Sequence, residues 1–319
     1  MTELAASPRG FSAFRVAFTL VALAFVVFLV WTQRHGLHAW LLSLHLGWAA
    51  AAFLLLCLSN AVAALLFAHM LASRIEFGKP SVNFAAAFLL GQLGKYLPGR
   101  IWGIAQQVSL LRSSAAAAIV IVINLELLIL LLGASIAVGA VMICFAKGGF
   151  EAGLIILVLA LLAVVFLPSR ISWLLTAVRF IIVRLPRRFE INSTLENRGK
   201  PSQRQLWKFR FLLVGFCISF ALGWFLLFFG AIGLDPDESA EITGVLALSA
   251  IIGMLSMLPG GLGAREFGVL AFGSWLGLDS EVLASSAIAS RAMIILIDLL
   301  LAGAAIPFLS RLGMEKSNG

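Results

Sequence analysis

The sequence predicts an all-α polytopic membrane protein, with about six full transmembrane helices and two re-entrant, broken-helix hairpins arranged as inverted repeats. Three observations carry this reading. Of the 319 residues, 61% are hydrophobic and 12% charged, with a mean hydropathy of +1.05, and so little polar surface cannot cover a soluble domain of this size. Apolar stretches of the length a crossing needs, about 17–25 residues, recur along the chain. The tripeptide Leu-Pro-Gly occurs twice, at Leu97–Gly99 and Leu258–Gly260, each time inside an apolar stretch and beside basic residues.

In chain order, the full crossings fall at about 14–32, 46–70, 115–145, 152–168, 211–232 and 283–309. The first follows Arg9 and Arg15 like a signal peptide, but it runs into Gln33-Arg34-His35 and not a small-residue cleavage site, which reads as an uncleaved span. Residues 81–93 and 101–111 are each too short to cross comfortably and flank GKYLPGR; 242–258 and 267–278 likewise flank PGGLGARE. Each pair reads as helix, break, helix, dipping into the membrane and returning, although two short tilted spans would give the same parity. The whole chain, 1–319, is then one integral-membrane domain, with a first repeat over about 46–145, a second over about 211–309 and a basic cytoplasmic connector over about 169–210.

Orientation follows from the lysines and arginines, which accumulate on the cytoplasmic side. With the N-terminus inside, most of the 23 basic residues fall inside: Arg9, Arg15, Arg74, Lys79, Arg112, the cluster from Arg170 to Arg210, Arg311 and Lys316. Arg34 and Lys147 fall outside, where Asp235, Asp237, Glu238, Glu241, Asp279 and Glu281 make the loops acidic. Trp31, Trp40, Trp48 and Trp275 mark the outer interface, Trp173 and Trp207 the inner one. Both termini are then cytoplasmic. The first hairpin enters from the cytoplasmic face and the second from the outside, so the halves are inverted, an arrangement that places a shared site near the midplane. Ile171–Val183, apolar at helical spacing, would lie along the inner leaflet.

Lys95, Arg100, Arg265, Arg291, Glu126, Glu266 and Asp298 are left at membrane depth. Each charge there costs at least about 2.5–3.5 kcal/mol, so these residues need partners or a wet cavity. A helix restarting after Pro98, near Gly99 and Arg100, would aim its free amides and positive dipole end into the protein beside Lys95, a cradle for a phosphate. In the other half, Pro259 breaks the helix and Gly260, Gly261 and Gly263 let backbone approach a ligand closely. Ser113-Ser114-Ala115 leads to Glu126, and Ser285-Ser286-Ala287 to Asp298, with the same internal spacing. Arg291 and Asp298 lie two turns apart on one helix face, too far to pair directly, and must look to other helices.

At these residues the chain resembles the lysylphosphatidylglycerol synthase transmembrane, or flippase-like, family of prokaryotic membrane proteins. The matching stretches are GKYLPGRIW at 94–102, the glutamate of NLELL at 124–128, LPGGLGAREFG at 258–268, and Ser290-Arg291 followed by Asp298. The resemblance covers about 14–310. It implies a membrane domain that flips an anionic phospholipid or a polyprenyl-phosphate-linked lipid across the cytoplasmic membrane, working beside envelope-lipid biosynthesis enzymes. The chain stops soon after its last span, so the soluble aminoacyl transferase domain of the family's best understood branch is expected to be missing.

Lys95, Arg100 and Arg265 are the expected contacts to the headgroup phosphate, and Glu126, Arg291 and Asp298 the gating or coupling groups. Glu126 and Asp298 read equally well as structural ion-pair partners, and Glu266, beside Arg265, as a structural partner. Each Pro-Gly, taken singly, also reads as a plain kink. The function alternatives are an integral-membrane enzyme transferring a glycosyl or other group to a lipid phosphate, and a non-catalytic subunit of a lipid-synthesis complex. Against the enzyme, the residues at depth hold no histidine, no aspartate cluster and no nucleophile beside a base. No cofactor or metal is expected: His35, His38 and His45 lack a carboxylate or cysteine at matching spacing, and Cys57, Cys144 and Cys217 read as small hydrophobes. Nucleic acid is a poor partner, because the positive-inside bias accounts for the high pI.

Overall fold

A computed structural model describes residues 44–75, 80–97, 101–111, 115–182, 202–256, 259–261 and 263–314. The expected first span at 14–32, His35, His38, Pro98, Gly99, Arg100 and most of the basic connector lie outside these residues, as do the side chains of 169–182. Every described element is helical: α1 (Leu46–Ala72), α2 (Val82–Leu93), α3 (Ile101–Leu110), α4 (Ala117–Ile182), α5 (Gln203–Leu226, continuing as a π-turn over Leu227–Ile232), α6 (Pro236–Leu255), α7 (Ala264–Leu276) and α8 (Ser280–Met314). Among the described residues, five stretches are long and apolar enough to cross a membrane: Leu46–Ala72, Ala117–Pro168, Gln203–Ile232, Pro236–Leu255 and Ser280–Phe308. The chain is therefore a multi-pass, all-α membrane protein.

Local chemistry sets the ends. Ser202 and Gln205 form a reciprocal capping box on α5 (3.3 and 2.8 Å), and Ser81 accepts from the amide of Asn83 to start α2. Pro236 opens α6 with Asp237 and Glu238 in the first turn, where the helix dipole favours acids. This helix begins earlier than the apolar pattern suggests, and its 20 residues make it long enough to cross. The expected spans at 115–145 and 152–168 are the two arms of α4, which bends at Gly149 (φ 73°, ψ −178°). The arms fold back on each other: a Cβ on Gly133 would lie 2.6 Å from Leu167, and one on Gly153 2.3 Å from Phe145.

The first expected hairpin, α2 and α3, closes through glycines. A Cβ on Gly94 would sit 2.3 Å from the Gly103 nitrogen, and one on Gly103 2.4 Å from the Gly91 carbonyl. Such backbone-to-backbone approach is how helices pack where no hydrophobic force distinguishes neighbour from lipid. The second pair, α6 and α7, closes in the same way, with Gly261 (φ 70°) against the Gly253 backbone. The helices leading into the two hairpins, α1 and α5, lie along each other, with Leu56 against Gly223 and Trp48 against Gly230. Further, α2 packs on α8, and α6 on the first arm of α4, where Gly139 and Gly244 cross.

Candidate functional site

The two helix breaks meet. After α2 the chain tightens into one 3₁₀ turn, Gly94–Tyr96, and leaves in extended conformation at Leu97 (φ −93°, ψ 152°), the geometry a following proline imposes. After α6 a second 3₁₀ turn, Pro259–Gly261, carries Gly260 and Gly261 at positive φ (55° and 70°). The ring of Tyr96 lies against Gly260: a Cβ there would be 3.0 Å from Cδ1 of the ring and 3.6 Å from Nη1 of Arg291. At that φ any side chain would also be strained, so glycine serves both needs.

On the first-half side, Asp298 is the focus. It is 3% exposed on α8, and its Oδ2 receives both the Lys95 ammonium at 2.7 Å and the Tyr96 hydroxyl at 2.5 Å. Lys95 also sits 5.4 Å from the centre of the Tyr96 ring. On the second-half side, Arg291 donates through Nη1 to the Gly260 carbonyl at 2.7 Å, and its Nη2 lies 2.8 Å from Oε1 of Glu266. That ion pair is close but poorly aimed, for Nη2 and Oε2 of Glu266 both lack a hydrogen-bond partner. Arg265 and Arg291 line one narrow cleft together with Glu266, Val269, Ala287 and Ser290. The Nε of Arg265 is sealed from solvent and has no hydrogen-bond partner.

The structure therefore brings Lys95, Gly260, Glu266, Arg291 and Asp298 together with Tyr96, and places Arg265 in the adjoining cleft. Gly263 (φ 75°) starts α7 and faces open space. Glu126 stands apart: it is 2% exposed, and its Oε1 takes Nη2 of Arg74 at 2.6 Å, an arginine that the charge count reads only as a topology marker. Glu126 lies about 14 Å along its helix from Ala117, whereas Asp298 lies about 27 Å along its own from Ser280, at 1.5 Å per residue. The two acids, equivalent by spacing, occupy different environments.

Several site residues escape the sequence reading. Tyr96, the chain's one tyrosine and 2% exposed, is the clearest. A lone Tyr next to a membrane lysine is the available signal, because a buried phenol needs an acceptor. Buried Gln107 accepts from Asn124 Nδ2 at 2.7 Å and ties α3 to α4. His45, by contrast, caps α1, its amide bonded to the Ala231 carbonyl at 3.0 Å, and no group of His, Cys, Asp or Glu among the described residues is arranged to hold a metal ion.

Comparison with known proteins gives two findings. The family described as "Lysylphosphatidylglycerol synthase TM region" matches over residues 13–302. A UPF0104 membrane protein of Methanothermobacter thermautotrophicus is 29% identical over 153 residues, which is 46% of this chain and 45% of that protein, so the chain aligns with less than half of its relative. No solved structure matches.

Proposed function

Since the chain belongs to the lysylphosphatidylglycerol synthase TM region family, we propose that it moves a lipid bearing a phosphate headgroup across the cytoplasmic membrane, with the headgroup held where the two breaks meet. The observation that carries this reading is the Arg265–Arg291 pair. Two guanidinium groups share a cleft with a single, badly aimed carboxylate, and one has a buried Nε with no partner. Leaving a buried charge uncompensated costs several kcal/mol, whereas a phosphate oxygen accepts from such donors in strong, charge-assisted bonds.

Arg265 and Arg291 are the headgroup contacts. Arg291 is positioned by the Gly260 carbonyl, and Glu266 holds the second guanidinium arm until a stronger anion replaces it. Lys95, 28% exposed at its side chain, is the mobile member: it can leave Asp298 for the phosphate while Tyr96 keeps Asp298 bonded. Exchange of partners at this junction couples headgroup arrival to movement of one hairpin against the other, which is how inverted halves give alternating access. Either an anionic phospholipid or a polyprenyl phosphate supplies the required anion.

The experiment is mass spectrometry of lipids retained by the purified protein, followed by headgroup-labelled transbilayer assays in proteoliposomes. Arg265→Gln should strip the phosphate lipid while leaving the melting temperature within a degree or two of the parent, since no hydrogen bond from Nε is lost and the attraction to Glu266 and Asp298 that goes is offset by relief of repulsion with Arg291. Phosphatidylglycerol and undecaprenyl phosphate, added separately, identify the lipid. Unchanged lipid retention in Arg265→Gln would remove the site.

A further inference from the structure

Where α5 begins, an exposed stripe carries cations next to aromatic rings. The helix and its π-turn run 30 residues from Gln203 to Ile232, about 45 Å at 1.5 Å per residue, which matches a bilayer together with its headgroup regions. The first two turns therefore stand at the level of the lipid phosphates. Arg204, Trp207, Lys208 and Phe211 recur at helical spacing on one face, and all four are exposed, Trp207 by 61% and Phe211 by 83%. The other face belongs to the bundle, with Phe209 and Leu213 in its core.

Arg210 joins the stripe from the side. Helical side chains lean toward the N-terminus, and its guanidinium lies over the Trp207 ring, 4.7 Å from the centroid, in a cation–π contact. Its Nε is closed off without a hydrogen-bond partner, so only the outer fork remains to bind. Among the described residues, none of Arg204, Lys208 and Arg210 pairs with a carboxylate. Three cations within two turns repel one another, and Arg204 stands in the first turn, at the end of the helix dipole that disfavours positive charge. The capping box of Ser202 and Gln205 already closes that helix end, so it is the side chains that require a counter-anion.

We propose that the start of α5 is a docking surface for an anionic phospholipid of the adjoining leaflet, whose phosphate is held by Arg204, Lys208 and Arg210, with Trp207 as the platform that orients Arg210. A small soluble anion neutralises the cations but leaves Trp207 and Phe211 uncovered. A phospholipid meets both needs, its phosphate against the cations and its glycerol and upper acyl chain against the rings. The surface is separate from the headgroup cleft at the breaks. It fixes the depth of α5, the helix that lies along α1.

The test is tryptophan quenching in the full chain, reconstituted in phosphatidylcholine vesicles that contain an equal fraction of either brominated phosphatidylglycerol or brominated phosphatidylcholine. The signal of Trp207 is the difference between the parent and Trp207→Phe. Brominated phosphatidylglycerol is expected to quench it preferentially, and the preference should weaken as salt is raised. Arg204→Gln, Lys208→Gln and Arg210→Gln should each lower the preference about fivefold, the share of one basic residue at a membrane surface. Trp275, 83% exposed at the end of α7, serves as the control, and its signal, taken from Trp275→Phe, should show no such preference. Arg265→Gln should keep the preference at Trp207, which separates this surface from the cleft. Equal quenching of Trp207 by the two lipids, an equal preference at Trp275, or loss of the preference in Arg265→Gln would overturn the proposal. Arg204 and Lys208 are exposed, so their variants test the surface even if Arg210→Gln fails to fold.

Discussion

Tyr96 and Asp298, 202 residues apart, share a buried hydrogen bond in which the phenol donates to Oδ2, the same oxygen that receives the Lys95 ammonium. One oxygen thus fastens the first helix break to the final helix, and the bond passes between the halves of the molecule. An aspartate bonded twice through one oxygen is anchored strongly, yet it can lose one donor without becoming bare.

Tyr96→Phe tests this anchor. It keeps the ring that packs on Gly260 and removes only the hydroxyl. A hydrogen bond to a charged group contributes about 1.5–3 kcal/mol. Thermal unfolding in detergent should show a lower melting temperature, while Lys95 keeps Asp298 compensated and the protein still inserts and purifies. An unchanged melting curve would mean the phenol is not bonded there.

Glycine contacts give a second, sharper expectation. Gly94→Ala places a methyl 2.3 Å from the Gly103 backbone, where no side chain can yield, so the α2–α3 hairpin must open. Loss of this variant from the folded fraction is expected. Gly47→Ala, with open space around it, replaces a glycine in the first turn of α1 and should be neutral or slightly stabilising, by less than the roughly 1 kcal/mol of a helix-interior position. Size-exclusion profiles and melting temperatures of the two variants side by side provide the measurement.

The Lys147–Glu241 ion pair sets a topological constraint. Single cysteines at Lys147 and Asp237 should label from the same side of sealed vesicles, and a cysteine at Arg204, exposed at the start of α5, from the opposite side. By the lysine and arginine count the first pair is external. Labelling of Lys147→Cys and Asp237→Cys from opposite sides would contradict the fold itself.

The architecture was legible because a bilayer imposes few solutions: composition gave the class, apolar length gave α1, α5, α8 and both arms of α4, and Pro-Gly marked the breaks. The start of α6 was not, since Asp237 and Glu238 depress hydropathy where the dipole welcomes them. The pairings were also hidden. Spacing along a helix shows that Arg291 and Asp298 share a face, but which neighbour supplies Glu266, Lys95 or Tyr96 depends on how helices far apart in sequence pack. Arg74 was read as a surface charge because it follows a span, although its reach lets it bond a glutamate inside the bundle. Gly91 and Gly103 carry no mark in the sequence that separates them from any other membrane glycine.

Glu126 and Asp298 match by spacing but not by surroundings, and this makes their variants diverge. Glu126→Gln leaves Arg74 with a neutral acceptor, and Arg74, 19% exposed near a helix end, can turn toward water. A modest fall in stability is expected. Asp298→Asn leaves Lys95 facing an amide at the junction of both breaks; removing one partner of a buried pair costs about 3–5 kcal/mol in protein interiors, somewhat less here because Lys95 is partly exposed. Melting temperature should fall clearly more in Asp298→Asn. Transport separates structure from coupling: if either acid exchanges protons during the cycle, its amide variant moves lipid slowly in proteoliposomes and loses its response to a pH gradient even when folded. Folded Glu126→Gln that transports at the parent rate and keeps its pH response would assign Glu126 to structure alone. The same outcome in the folded fraction of Asp298→Asn would remove Asp298 from the mechanism and leave the Arg265–Arg291 cleft to act without it.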